Sequence, residues 1–133
     1  MIAKLYEDSE ILVVDKPAGL AVQPGADVRI SLVDAVERDY GFRPYLVHRL
    51  DKETAGCIIV AKDRAAAAKW GREIEAKALK KVYRAVVSGG LRGESGRIDE
   101  PVQVKGEERS ASTEWRLLGR FGGEGEAAYS YLE

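Results

Sequence analysis

The residues best suited to chemistry are His48-Arg49-Leu50-Asp51-Lys52-Glu53-Thr54, set between two apolar runs, Tyr45-Leu46-Val47 and Cys57-Ile58-Ile59-Val60-Ala61. A loop between two strands would display these side chains from a rigid frame, where functional groups are often found. Asp51 has His48, Arg49 and Lys52 close in sequence. An aspartate with an ordinary pKa of ~3.9 is ionised at neutral pH unless its burial is severe, and nearby cations favour that ionised, nucleophilic form. A single carboxylate of this kind can attack an electrophilic carbon. A sugar hydrolase would need a second carboxylate to activate water, and none is evident. The bland alternative is that Asp51, like most loop aspartates, caps or shapes a turn.

Positioning such a loop requires flanking elements, and the sequence marks several. Ile11-Leu12-Val13-Val14 is a β-prone run stopped by the turn signal Lys16-Pro17-Ala18-Gly19. Ser31 followed by Asp34 forms a capping box with aspartate in the usual Glu/Gln place, opening a helix to about Tyr40 with Gly41 as its stop. Leu46 to Leu50 reads as a short extended piece, and Cys57 to Ala61 as a buried strand with Cys57 a small core residue. Asp63 caps an alanine-rich helix from Arg64 to about Lys77. Lys81 to Val87 alternates as a strand does. Thr113–Leu118 and Ala127–Leu132 read as two more strands, joined as a hairpin through Gly122-Gly123-Glu124-Gly125. Trp70 and Trp115 read as core or partly buried residues, and Lys16 and Pro17 as servants of their turn. The sum is an α+β fold: a mixed, mainly antiparallel sheet with helices packed on it.

The whole chain sets further bounds. Its 133 residues suit one compact domain. No apolar run approaches the ~20 residues of a membrane span, and the N-terminal stretch lacks a signal-peptide core. The single cysteine excludes an internal disulfide and makes a cysteine zinc site implausible, which points to the cytoplasm. Net charge is −1, but it is unevenly spread. Residues 1–40 hold four basic and eight acidic groups, residues 41–84 eleven and five, and residues 85–133 six and nine. A basic middle segment suits a phosphate-bearing partner, although a solvated helix face would look the same.

The run His48-Arg49-Leu50-Asp51-Lys52-Glu53-Thr54-Ala55-Gly56 resembles the signature of the RluA family of RNA pseudouridine synthases, His-Arg-Leu-Asp-x-x-Thr-Ser-Gly. Lys16-Pro17-Ala18-Gly19 is similar to the family's early Lys-Pro-x-Gly turn, and Lys81-Val82-Tyr83-Arg84-Ala85 to its Lys-x-Tyr-x-Ala strand. The resemblance implies isomerisation of uridine to pseudouridine in structured ribosomal or transfer RNA. It gives the catalytic role to Asp51 and implies no metal or organic cofactor. Attack at the sugar C1′, addition to uracil C6 and elimination to a glycal all remain open. Tyr83 matches the tyrosine that stacks on the target base, and Arg49 a residue that enters the gap left by the flipped nucleotide. His48 is assigned to positioning rather than acid–base work, and Thr54 and Gly56 to the shape of the loop that aims Asp51.

Two departures stand out. Ala55 occupies the usual serine position. The family's later Thr-Gly-Arg-x-His-Gln-[Ile/Leu]-Arg motif, whose arginine pairs with the catalytic aspartate, is not among these residues. The 133 residues are therefore expected to be the N-terminal part of a catalytic domain, incomplete at its C-terminus and without a separate RNA-binding domain. By itself this piece is expected to be weakly active or inactive, and to associate with a second copy through an exposed sheet edge. The competing reading is a non-catalytic RNA-binding or interaction module derived from the same fold.

Overall fold

A computed structural model describes residues 1–26, 28–104, 106–123 and 128–133. They form two compact units, residues 1–80 and 81–133. The α+β class is as the sequence implies, with two helices and antiparallel strand pairs, although the strands divide among three sheets. No helix of the described residues is long and apolar enough to cross a membrane.

The first unit is built on strands β1 (Ala3–Glu7), β2 (Ile11–Lys16), β3 (Tyr45–Leu46) and β4 (Gly56–Ala61), in the order β1-β2-β4-β3. Leu12 faces Val60 and Val14 faces Ile58 across β2 and β4, and these four side chains share the buried side. They pack with Val22, Leu32, Val36 and Leu50 to form the core. The parity of this ladder corrects one expectation. Side chains alternate along a strand, so Cys57, one residue before core-facing Ile58, points away and is exposed. Lys16 has the same parity as Leu12 and Val14, and is fully buried.

Helix α1 (Leu32–Tyr40) starts as its capping box implies. Ser31 N–H donates to Asp34 Oδ2 at 2.9 Å, and Asp34 N–H donates to Ser31 Oγ at 3.3 Å. Two further first-turn donors, the N–H groups of Leu32 and Val33, reach the carbonyls of Ala21 and Val22, so amides a helix start leaves unpaired are satisfied. Gly41 ends the helix in the left-handed conformation. Helix α2 (Arg64–Glu75) opens on Asp63, which accepts from Ala66 N–H at 2.8 Å. It stops slightly before the expected Lys77. Trp70 is half-buried, with Nε1 donating to Glu10.

Strand β1 had no sequence signal. Every residue in it is exposed, so no alternation of apolar and polar residues reveals it. Its attachments are polar: Ile2 N–H donates to Asp39, Tyr40 Oη donates to Ile2 O, and Lys62 reaches Glu7. Hydrogen bonds from Lys4 and Lys62 hold the Glu7 carboxyl at about 2, below its usual 4.5. Arg38 and the Ile2 amide hold Asp39 at about 2, below its usual 3.8. A folded-state pKa below the unfolded one contributes stability above the unfolded value, which is lost as pH falls through the folded value. Thermal melts followed by circular dichroism are therefore expected to give a midpoint that is flat above about pH 5 and falls toward pH 2. Asp39→Asn should flatten that decline. A slope unchanged by this substitution would remove Asp39 from the account.

The second unit contains β5 (Ala85–Ser88), β6 (Ser95–Ile98), β9 (Thr113–Gly122) and β10 (Ala128–Leu132), in the order β5-β10-β9-β6. A separate pair, β7 (Val102–Val104) and β8 (Glu107–Arg109), lies between them in sequence. The expected pairing of β9 with β10 is present, and Glu124 and Gly125 of the expected turn, with residues 126 and 127, lie outside the described residues. The strand expected from Lys81 begins only at Ala85. The register sets Ala85 opposite Leu132. Arg84 and Arg116 both reach the Glu133 carboxylate, which spans the end of β10. The final strand is thus internal to its sheet, whose edge strands are β5 and β6.

Gly96 on β6 faces half-buried Trp115 on β9, and a Cβ built at Gly96 would lie 2.7 Å from the indole ring. Gly96→Ala is expected to destabilise this unit by about 1–3 kcal/mol through overpacking. Chemical denaturation read by tryptophan fluorescence measures this; a change under about 0.5 kcal/mol would show that the ring yields freely.

Candidate active site

The loop of residues 47–55 joins β3 to β4 in the first unit, and it carries four of the five expected site residues: His48, Arg49, Asp51 and Thr54. The fifth, Tyr83, belongs to the second unit, where it lies just before β5 and is 53% exposed. It stands outside the strand on which the sequence places it.

Along the loop, anchored and displayed residues alternate. His48 Nε2 accepts from the Ile59 N–H of β4 at 2.9 Å. Leu50 is buried in the core cluster. The Lys52 carbonyl accepts from Gly19 N–H at 2.9 Å and from Lys16 Nζ at 3.0 Å. Arg49 and Asp51, between these anchors, are exposed. Thr54 N–H donates to Asp51 O at 3.1 Å and closes a turn behind the aspartate. The Asp51 carboxylate has no hydrogen-bond or ion-pair partner among the described residues. Gly56 has φ +124°, a conformation that side chains resist, where the chain enters β4 opposite Lys16.

Lys16 contributes more to this site than turn formation, and sequence reasoning missed it. Its place on the core side of β2 withdraws the ammonium from water, and Nζ donates to the carbonyls of Pro17 (3.0 Å), Leu20 (2.8 Å) and Lys52 (3.0 Å). Burial lowers its pKa, opposed by the nearby charges of Glu53 and Asp51. Gly19 has φ +82°, which turns its N–H toward the same Lys52 carbonyl. The Lys-Pro-x-Gly turn and the Asp51 loop are thus joined at one backbone oxygen. The parity of the run Leu12, Val14, Lys16 was the available signal: it places a lysine at a core position that demands acceptors.

The arrangement displays one anionic oxygen pair and one guanidinium from a loop pinned by backbone bonds. Seven cations of this unit (Arg29, Arg49, Lys52, Arg64, Arg72, Lys77 and Lys80) are exposed and not ion-paired among the described residues. Among those residues, no group of three His, Cys, Asp or Glu side chains converges where a metal ion could be held.

A sequence profile described as RNA pseudouridylate synthase matches residues 10–131. An uncharacterized RNA pseudouridine synthase of Bacillus subtilis is 36% identical over 119 residues, covering 85% of this chain and 38% of the relative. The ribosomal large subunit pseudouridine synthase D of Pseudomonas aeruginosa is 35% identical over 133 residues, covering 88% of this chain and 41% of the relative. The chain thus spans about two-fifths of the length of these relatives. Among solved structures, human RNA pseudouridylate synthase domain containing 1 superposes with a TM-score of 0.79 at 18% identity, covering 99% of this chain and 58% of that one, a likeness of fold. Profile and relatives agree, and the chain belongs to the RluA group of the RNA pseudouridylate synthase family.

Proposed function

We propose that these residues carry the reactive aspartate of an enzyme that isomerises uridine to pseudouridine in RNA. The observation that supports this most is Asp51 itself: an exposed carboxylate without a hydrogen-bonded partner, on a loop anchored at the residues to either side of it. A carboxylate that only shaped its turn would accept from nearby backbone N–H groups, as Asp63 does at the start of α2. The isomerisation detaches uracil from its N-glycosidic bond, turns it and rejoins it to the ribose through carbon. No water is consumed, so a second, water-activating carboxylate is not required. Asp51 is the nucleophile, Arg49 occupies the gap left by the flipped nucleotide, and Tyr83 stacks on the target base. Thr54 supports the turn behind Asp51. In the family, an arginine of the later Thr-Gly-Arg motif would supply the carboxylate's partner.

The partner is RNA, and large-subunit ribosomal RNA is the favoured substrate because relatives are named for it. The exposed cations of the first unit supply the matching charge. We read the two units as parts of one catalytic domain acting in the cytoplasm. The test is to supply the full-length protein with uridine-labelled ribosomal and transfer RNA and measure pseudouridine. Formation in ribosomal RNA supports the reading, and formation in transfer RNA alone moves the substrate. RNA binding without pseudouridine would favour the non-catalytic module.

A further inference from the structure

β3 pairs with β4 at Tyr45–Ala61 and Leu46–Val60. The next pair in that register would be Val47–Ile59, but the strand ends at Leu46 and the chain bends at residues 47 and 48. A backbone N–H abandoned by its strand partner must find another acceptor or lose free energy. Ile59 N–H finds the imidazole of His48, at 2.9 Å from Nε2. A ring nitrogen that accepts carries no proton, so the neutral ring holds its proton on Nδ1.

We propose that His48 performs the positioning role its motif implies by tethering the root of the Asp51 loop to β4 through the Ile59 amide. Its Nε2 serves as one more rung of the β3–β4 ladder at the point where the chain leaves the sheet. The backbone is then free to bend there without orphaning Ile59 N–H, and the root of the arm bearing Arg49 and Asp51 stays fixed to β4. The anchors at His48, Leu50 and Lys52 are of three kinds: a side-chain hydrogen bond, burial in the core, and a shared carbonyl. They fall on every second residue, which leaves Arg49 and Asp51 displayed between them. The proposal rests on Asp51 being the reactive carboxylate, and it makes His48 Nε2 a hydrogen-bond acceptor for a backbone N–H.

The test compares His48→Gln and His48→Leu in the full-length protein. Glutamine offers an amide oxygen near the position of Nε2 and can accept from Ile59 N–H; leucine fills similar space and cannot. Single-turnover pseudouridine formation is expected to fall on the order of a hundredfold in His48→Leu, the scale for a misplaced reacting group. RNA affinity should stay within about twofold, because the loss lies in the reacting geometry. His48→Gln should recover most of the rate. Two outcomes overturn the proposal: His48→Gln as slow as His48→Leu, which makes the imidazole itself the working group, or a loss of affinity in place of rate, which makes His48 an RNA contact. Hydrogen exchange at the Ile59 amide gives a second readout independent of catalysis. Protection is expected in wild type and His48→Gln, and fast exchange in His48→Leu. If wild type forms no pseudouridine, the reading of Asp51 fails, while equal protection in all three proteins sinks the tether itself.

Discussion

Replacing Asp51 by asparagine in the full-length protein is expected to abolish pseudouridine formation, with a loss on the order of 10⁴-fold or more, the scale seen when an essential catalytic group is removed. The substitution keeps size and shape and removes the charge and nucleophilicity. The Asp51 side chain holds no structural bond among the described residues; its backbone carbonyl, which accepts from Thr54 N–H, is unchanged. Stability and RNA affinity should therefore survive. That separation makes the measurement decisive: labelled RNA is bound as before, and no pseudouridine accumulates. Turnover near the wild-type rate would show that the carboxylate is not the reacting group. A collapse of folding would assign it a structural role that its exposure does not suggest.

The second large effect is expected at Lys16. In Lys16→Met the ammonium is lost from a fully buried position, leaving the carbonyls of Pro17 and Leu20 without that donor and Lys52 with Gly19 N–H alone. Unsatisfied buried polar groups cost ~1–3 kcal/mol each, offset in part because methionine is cheaper to bury than an ammonium. A net destabilisation of about 3 kcal/mol is expected in urea unfolding. The turn and the Asp51 loop lose one of their two shared bonds in the same step, so turnover should fall in the protein that remains folded. A loss below about 1 kcal/mol would mean that water or local adjustment replaces the ammonium readily. Then the Lys-Pro-x-Gly turn would hold the loop through Gly19 alone.

Lys16 also shows where tertiary structure adds to what the motifs say. In the sequence, the Lys-Pro-x-Gly turn and the Asp51 run are two patterns in order, with no stated reason to depend on each other. The fold brings Lys16 and Gly19 to the carbonyl beside Asp51. Neither contact leaves a periodic trace, because a carbonyl oxygen is present at every residue.

What the sequence by itself determined are the features whose causes lie within a few residues. Ser31 and Asp34 cap α1, Gly41 ends it, Asp63 caps α2, and the β-branched run before Lys62 forms β4. The Asp51 loop was legible for the same reason: its charged residues interrupt two apolar runs, and its signature is contiguous. Only the tertiary structure decided the exposure of Cys57, the late start of β5, the existence of β1 and the partner of His48. Each depends on which neighbour a strand finds. Cys57 is exposed because pairing with β2 fixed the parity of β4. β5 starts at Ala85, later than the alternation from Lys81 implies, and its pairing with β10 covers Ala85–Ser88. β1 is a strand because β2 offered a free edge, without apolar alternation of its own. Local codes write caps and turns, whereas register and edge occupancy are settled only when distant segments meet.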